Sequence, residues 1–162
     1  AARAMGEWAA AAPVEAADWL AGKSPDLPQL APALYQSLAA SWAGQDAGAA
    51  ASWLVTLKDP QVQAQSASAV FNVWAATDTL GLNSWLAENF TSPVADAARG
   101  QLALQRSDAS PADALAMAFQ VSVPQTATGL ARRIFQDWQS RDMVAAGTWA
   151  DASPAALKSL QP

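Results

Sequence analysis

The chain has 162 residues, of which 52% are hydrophobic, and it carries a formal net charge of −5 at neutral pH. This acidic balance argues against a nucleic-acid partner, because a phosphate backbone selects basic surfaces. Cysteine and histidine are both missing from the sequence, which excludes disulfides, thiolate nucleophiles, imidazole bases and the common zinc sites.

Charged residues and prolines interrupt every alanine-rich run, so the sequence contains no stretch suited to span a membrane. We therefore expect a soluble protein, and composition leaves its compartment open between the bacterial cytoplasm and the cell envelope or exterior. The first seven residues lack both an initiator methionine and a signal-peptide pattern. The chain is thus expected to be a processed or excised piece.

The tryptophans define an internal repeat. They form four pairs whose members are eleven residues apart: Trp8 and Trp19, Trp42 and Trp53, Trp74 and Trp85, and Trp138 and Trp149. A unit led by Arg106 completes a series with a period of about 32 residues. Such a period is typical of helical hairpins that stack on their neighbours.

The repeat predicts an all-α fold, a right-handed α-solenoid of about five helical hairpins. We expect one domain over residues 1–162, either complete or part of a longer array. Its units are led, in chain order, by Trp8, Trp42, Trp74, Arg106 and Trp138. Residues 3–8 are expected to end a preceding long helix, and residues 154–160 to begin another.

Each unit is predicted to open with a short helix four residues after its leading position. The polar residues at that place are Asp46, Asp78, Ser110 and Asp142. Asp and Ser are preferred helix N-caps, because the side-chain oxygen accepts a bond from an unpaired backbone N–H. The first unit has Ala12 there instead.

The longer helix of each unit is predicted to begin at a proline, where a missing N–H costs little. The dipeptides that mark these starts are Ser24-Pro25, Asp59-Pro60, Ser92-Pro93, Val123-Pro124 and Ser153-Pro154. Apolar residues recur four places before the leading positions, at Leu38, Val70, Leu102 and Ile134. They predict the buried stripe of the long helices.

Two interpretations of the tryptophans are open. In the first, they pack between helices and between repeats, as large rings at a fixed phase of a solenoid commonly do. In the second, they form an exposed aromatic row on which sugars, peptides or bases stack. Mostly exposed indole rings would favour the second interpretation.

The fourth unit has Arg106 and Met117 at the two tryptophan positions. In one interpretation, these two side chains fill the space that tryptophans occupy in the other repeats, and the arginine stem lies along apolar surface. In the other, arginines of this part of the chain form a basic face for an acidic partner. The candidate partner-binding residues are Arg99, Arg106, Arg132, Arg133 and Arg141. Residues 1–98 hold nine acids and three bases, whereas residues 99–162 hold five acids and six bases.

The motif Trp-x3-Asp-x6-Trp-Leu occurs intact at Trp42 to Leu54 and at Trp74 to Leu86. It resembles the α-hairpin repeats of the tetratricopeptide and HEAT type. It is most similar to the tryptophan- and aspartate-rich helical repeats of large uncharacterised planctomycete and verrucomicrobial proteins. This resemblance implies a scaffold or binding role, and it brings no catalytic residues with it.

Together these features predict a non-enzymatic interaction scaffold that binds a protein or peptide on its concave face. The alternative is a structural subunit that assembles end to end into a filament, layer or shell. We expect no catalytic, cofactor-binding or metal-binding residues, because several carboxylates already serve as helix caps and five hairpins would not close a catalytic toroid.

Overall fold

A computed structural model describes residues 1–160. Over this range all regular secondary structure is helical, which confirms the predicted all-α class. The α-helices in chain order are α1 (Ala2–Ala11), α2 (Pro13–Lys23), α3 (Ala31–Ala43), α4 (Ala47–Leu54), α5 (Pro60–Thr77), α6 (Thr79–Glu88), α7 (Ala95–Arg106), α8 (Pro111–Ala118), α9 (Pro124–Arg141), α10 (Met143–Ala152) and α11 (Pro154–Leu160). A 3₁₀-helix covers Ser24–Asp26.

The chain divides into two compact units, Ala1–Ala98 and Arg99–Pro162. The division falls within α7. It also coincides with the change in charge along the sequence. The first unit carries nine acidic and three basic residues, and the second carries five acidic and six basic residues.

In the first compact unit, Ala1–Ala98, the long helices pack in series: α3 contacts both α1 and α5. The short helix α2 contacts α1 and α3, α4 contacts α3 and α5, and α6 contacts α5. Side chains from both kinds of helix are fully buried at these contacts. They include Leu20, Leu38, Leu54, Val70 and Phe71.

A row of side-chain hydrogen bonds joins α3 to the backbone of α1. Ser37 Oγ donates to the Ala2 carbonyl at 2.6 Å, and Ser41 Oγ donates to the Gly6 carbonyl at 2.7 Å. A Cβ atom at Gly6 would lie only 2.9 Å from Ser37 Oγ. Glycine therefore lets the two helices approach closely enough for these bonds.

In the second unit, α8, α10 and α11 all pack against α9. The buried cluster at these contacts includes Leu115, Ile134, Phe135, Trp138 and Leu160. Arg132 Nε donates to the Leu160 carbonyl at 3.0 Å, which ties the end of α11 to α9. The short α11 thus covers part of the apolar surface of α9.

Of the five prolines predicted to begin a long helix, three do so: Pro60 begins α5, Pro124 begins α9 and Pro154 begins α11. The helices predicted to begin at Pro25 and Pro93 begin later in the chain. After Pro93, α7 begins at Ala95, and after Pro25 the chain forms only the 3₁₀-helix. Pro28 disfavours helical backbone at Leu27, whose φ and ψ are −129° and 47°, so α3 begins later, at Ala31.

Candidate binding cleft

Each tryptophan pair joins a long helix to the short helix that follows it. The ring centroids are 5.7 Å apart for Trp8–Trp19, 5.6 Å for Trp42–Trp53, 5.8 Å for Trp74–Trp85 and 6.1 Å for Trp138–Trp149. The rings meet tilted or edge to face, which are favourable arrangements for aromatic pairs. The eleven-residue spacing therefore brings two indoles together across each helix–helix turn.

Burial differs between the members of a pair. Trp42, Trp74 and Trp138 are buried, whereas their partners on the short helices are half-buried. Trp19 has the most exposed ring, at 41%. Most of the indole surface is thus used for packing, and the four pairs do not form an exposed aromatic row.

In the fourth repeat, Arg106 and Met117 contact each other as the tryptophans do elsewhere. Arg106 Nη1 lies 3.5 Å from Met117 Sδ. Arg106 is at the end of α7 and Met117 is on α8, so the contact joins the corresponding two helices. Both side chains are half-buried, and the flexible thioether fills space that the indoles fill in other units.

Three of the four predicted polar caps bond to the first turn of a short helix. Asp46 accepts from the Ala49 N–H and Asp78 accepts from the Gly81 N–H, each at 2.8 Å, and Asp142 accepts from the Ala145 N–H at 2.9 Å. Ser110 is in the N-cap position of α8, but its side chain makes no cap bond. The start of α8 therefore lacks the bond that Asp46, Asp78 and Asp142 make, as does the start of α2 at Ala12.

The arginines predicted to form a basic face have different environments. Arg99 is 2% exposed, so its guanidinium adds nothing to an accessible surface. Arg141 pairs with Asp137 at 2.9 Å and with Asp108 at 3.2 Å, which offsets its charge. Arg106 and Arg132 are half-buried, and Arg133 is exposed. The five residues therefore do not form one exposed basic face.

A concave feature lies in the first unit, among α2, α3, α4 and α5. It is an open cleft with a volume of about 630 Å³. Its lining residues are Ala17, Asp18, Ala21, Ser24, Pro25, Pro28, Ala31, Pro32, Tyr35, Trp53, Thr56, Leu57, Lys58, Asp59 and Val62. The volume is in the range of sites that hold small ligands or a few side chains.

Two stacked rings form the aromatic part of the cleft. Tyr35 and Trp53 lie with their centroids 6.2 Å apart and their planes 21° from parallel. The Tyr35 hydroxyl donates to Ser24 Oγ at 3.5 Å. Trp53 also contacts the Trp42 ring, at a centroid distance of 5.6 Å. The rings are thus positioned by their neighbours before any ligand binds.

The proline-rich connection before α3 gives the cleft its second wall. Pro25, Pro28 and Pro32 all line it. Because proline has a fixed φ and lacks an N–H, this segment cannot continue α2 or extend α3 backwards. The late start of α3 therefore leaves an irregular, rigid segment beside the aromatic rings.

The third wall is the turn between α4 and α5, which hydrogen bonds hold in place. Gln63 Nε2 donates to the Leu54 carbonyl at 3.0 Å. Asp59 Oδ1 accepts from the N–H groups of Gln61 and Val62 at 2.8 and 3.1 Å and so caps α5. Lys58 lies next to this cap, in the lining of the cleft.

The cleft has three ionisable residues with formal charges in its lining, Asp18, Lys58 and Asp59. All three are exposed, so they are available to a ligand. The sequence interpretation did not identify this site. Its signal was the run of Pro25, Pro28 and Pro32 followed by Tyr35, the only tyrosine in the chain.

Within residues 1–160, no group of three or more His, Cys, Asp or Glu side chains is arranged to hold a metal ion. No helix in the same range combines the length and apolar character needed to cross a lipid bilayer. Comparison with known proteins finds no match, whether among family models, curated proteins or solved structures.

Proposed function

We propose that this chain is a non-enzymatic interaction scaffold of the right-handed α-solenoid type, and that it binds an extended segment of another protein. The single observation that carries the proposal is the cleft of the first unit, in which the half-buried Trp53 ring is held in place by the buried Tyr35 ring. Aromatic-lined grooves are a recurrent means of binding extended peptides, because rigid rings supply contact area at a low entropic cost.

The solenoid part of the proposal is supported by the serial contacts α1–α3 and α3–α5. It is further supported by the ring contact that recurs in four of the repeats and by the Arg106–Met117 contact at the same place in the fourth repeat. The proposed relation to the tryptophan- and aspartate-rich bacterial repeats depends on the same recurrence, together with the caps at Asp46, Asp78 and Asp142.

Selection from a random peptide library displayed on phage tests the binding role. We expect selected peptides to bind the wild-type protein and to lose binding to Ala21→Tyr. Ala21 lines the cleft and is exposed on α2, so a large side chain there fills the cleft without disturbing the core. Ala87→Tyr, at an exposed position of α6 that does not line the cleft, is the matched control. Peptides unaffected by Ala21→Tyr would contradict the proposal.

The structural subunit remains the second candidate, and one observation favours it. The charge difference along the sequence coincides with the boundary between the two units. A strongly acidic unit on one copy can attract the more basic unit of another, and repeated contacts of this kind generate filaments. Association would then weaken with added salt.

A further inference from the structure

We infer that the segment bound in the cleft is cationic and places an arginine side chain against Trp53, the half-buried ring of the Tyr35–Trp53 stack. The inference rests on the proposed function, since it assigns a ligand chemistry to the same cleft. Three properties lead to it: the charge of the cleft lining, the geometry of the aromatic rings and the net charge of the surrounding unit.

The lining has an excess of negative charge. Asp18 and Asp59 oppose the single ammonium group of Lys58. Asp59 uses Oδ1 to cap α5, which leaves Oδ2 without a role in that cap. Asp18 is exposed on α2, at another wall of the cleft. Two carboxylates on separate elements suit a cation that enters between them.

The aromatic pair suits the planar guanidinium group. Trp53 is half-buried and lines the cleft, and the Tyr35 ring, which is only 7% exposed, stacks on it at 21° from parallel. Electron-rich ring faces attract cations, and arginine uses this interaction more often than lysine because its flat group can also stack. Tyr35 is held by Ser24 and by Trp53, so arginine binding requires little rearrangement of the rings.

The surrounding unit reinforces this preference at longer range. Residues 1–98 contain nine acidic and three basic residues. An acidic segment would therefore be repelled during its approach, whereas a basic segment would be attracted. Among the extended segments that fit the cleft by size, charge complementarity therefore favours the basic ones.

Fluorescence anisotropy with matched labelled peptides tests the inference. The probes are a short proline-based peptide with two arginines and the same peptide with both replaced by glutamine or by glutamate. We expect the arginine peptide to bind at least about tenfold more tightly than the glutamine peptide, and added salt to weaken it. We expect no binding of the glutamate peptide. Equal binding of the arginine and glutamine peptides would overturn the inference.

Substitutions of opposite sign locate the effect in the cleft. Asp18→Asn should weaken the arginine peptide about two- to fivefold, and Lys58→Gln should strengthen it by a similar factor, as for partly exposed charge pairs. Glu88→Gln is the control, because this exposed carboxylate of the same unit does not line the cleft. Equal effects of Asp18→Asn and Glu88→Gln would also overturn the inference.

The library selection described above separates this inference from the proposed function. Selected peptides that are sensitive to Ala21→Tyr but lack basic residues would overturn the cationic ligand and leave the binding role intact. An absence of peptides sensitive to Ala21→Tyr would overturn both. Self-association that Ala21→Tyr abolishes would assign the cleft to a second copy of the chain, contrary to the inference.

Discussion

A single tryptophan in this chain contributes chiefly as half of a pair. Trp74 is buried on α5, and it contacts Trp85 on α6 at a centroid distance of 5.8 Å. Phe71 contacts both rings, at 6.3 Å from Trp74 and 5.2 Å from Trp85. The contribution of each ring to the stability of the fold therefore depends on which other rings it contacts, as well as on how much surface it buries.

A double-mutant cycle measures this coupling. We expect Trp74→Ala to lower the free energy of unfolding by about 3–5 kcal/mol, because it leaves a cavity at a buried site. The coupling between Trp74→Ala and Trp85→Ala should be about 0.5–1.5 kcal/mol, and urea unfolding followed by circular dichroism gives both values. Trp19→Ala, at the most exposed ring, should cost less. Strict additivity of the two losses would show that the ring contact itself is unimportant.

At the scale of the element, the short helices depend on their first turn. They contain only eight to ten residues in α4, α6, α8 and α10, which is too short for stable isolated helices in water. An aspartate cap satisfies a backbone N–H that would otherwise be unpaired. Packing against the long helices supplies the remaining stabilisation.

The helix caps of the second unit give a matched comparison. Asp142→Ala should lower the free energy of unfolding by about 1 kcal/mol, because the bond to the Ala145 N–H is lost. Ser110→Ala should change it by less than about 0.5 kcal/mol, because the Ser110 side chain makes no cap bond. Urea midpoints of the two variants provide the test. Equal losses would mean that Ser110 contributes through a bond not seen in the structure.

Gly81 offers a stabilising substitution in α6. We expect Gly81→Ala to raise the free energy of unfolding by about 0.5–1 kcal/mol, since alanine loses less backbone entropy in a helix. The new Cβ would require the Asp78 carboxylate to move. Such movement is compatible with capping, because Asp46 bonds to Ala49 in the same repeat position at 2.8 Å. A lower thermal midpoint for Gly81→Ala would show that the Asp78 cap is lost.

At the scale of the whole molecule, the sequence carries an uneven charge and leaves several large apolar side chains exposed. Leu80 and Val144 are each 81% exposed and occupy the same repeat position. Exposed apolar residues are common singly and do not by themselves indicate an interface. The scaffold and subunit proposals therefore differ most clearly in their predicted association behaviour.

Light scattering coupled to size exclusion distinguishes these two proposals. For the scaffold we expect a monomer over a wide concentration range, at both low and high salt. Assemblies that grow with concentration and shrink with salt would favour the structural subunit. In that case Arg133→Glu, an exposed change in the more basic unit, should reduce assembly. Negative-stain imaging of the largest species would then show whether a filament, layer or shell forms.

The sequence by itself determined the all-α class, the phase of the helices and the pairing of the indoles. These properties depend on local chemistry that recurs every unit: an aspartate that caps a helix, a proline that begins one, and rings spaced eleven residues apart. The proline rule failed at Pro25. The long helix α3 begins only at Ala31, because Pro28 and the packing of α3 together decide where it begins.

Only the tertiary structure decided which residues share a site. Tyr35, Trp53 and Asp18 belong to three different helices, and no spacing in the chain shows that they line one cleft. The burial of Arg99 likewise depends on the packing of whole helices, and the ion pair of Arg141 with Asp108 joins residues that are distant in sequence. Periodicity specifies which face of a helix is buried, whereas the contacts between helices determine what each exposed side chain can reach.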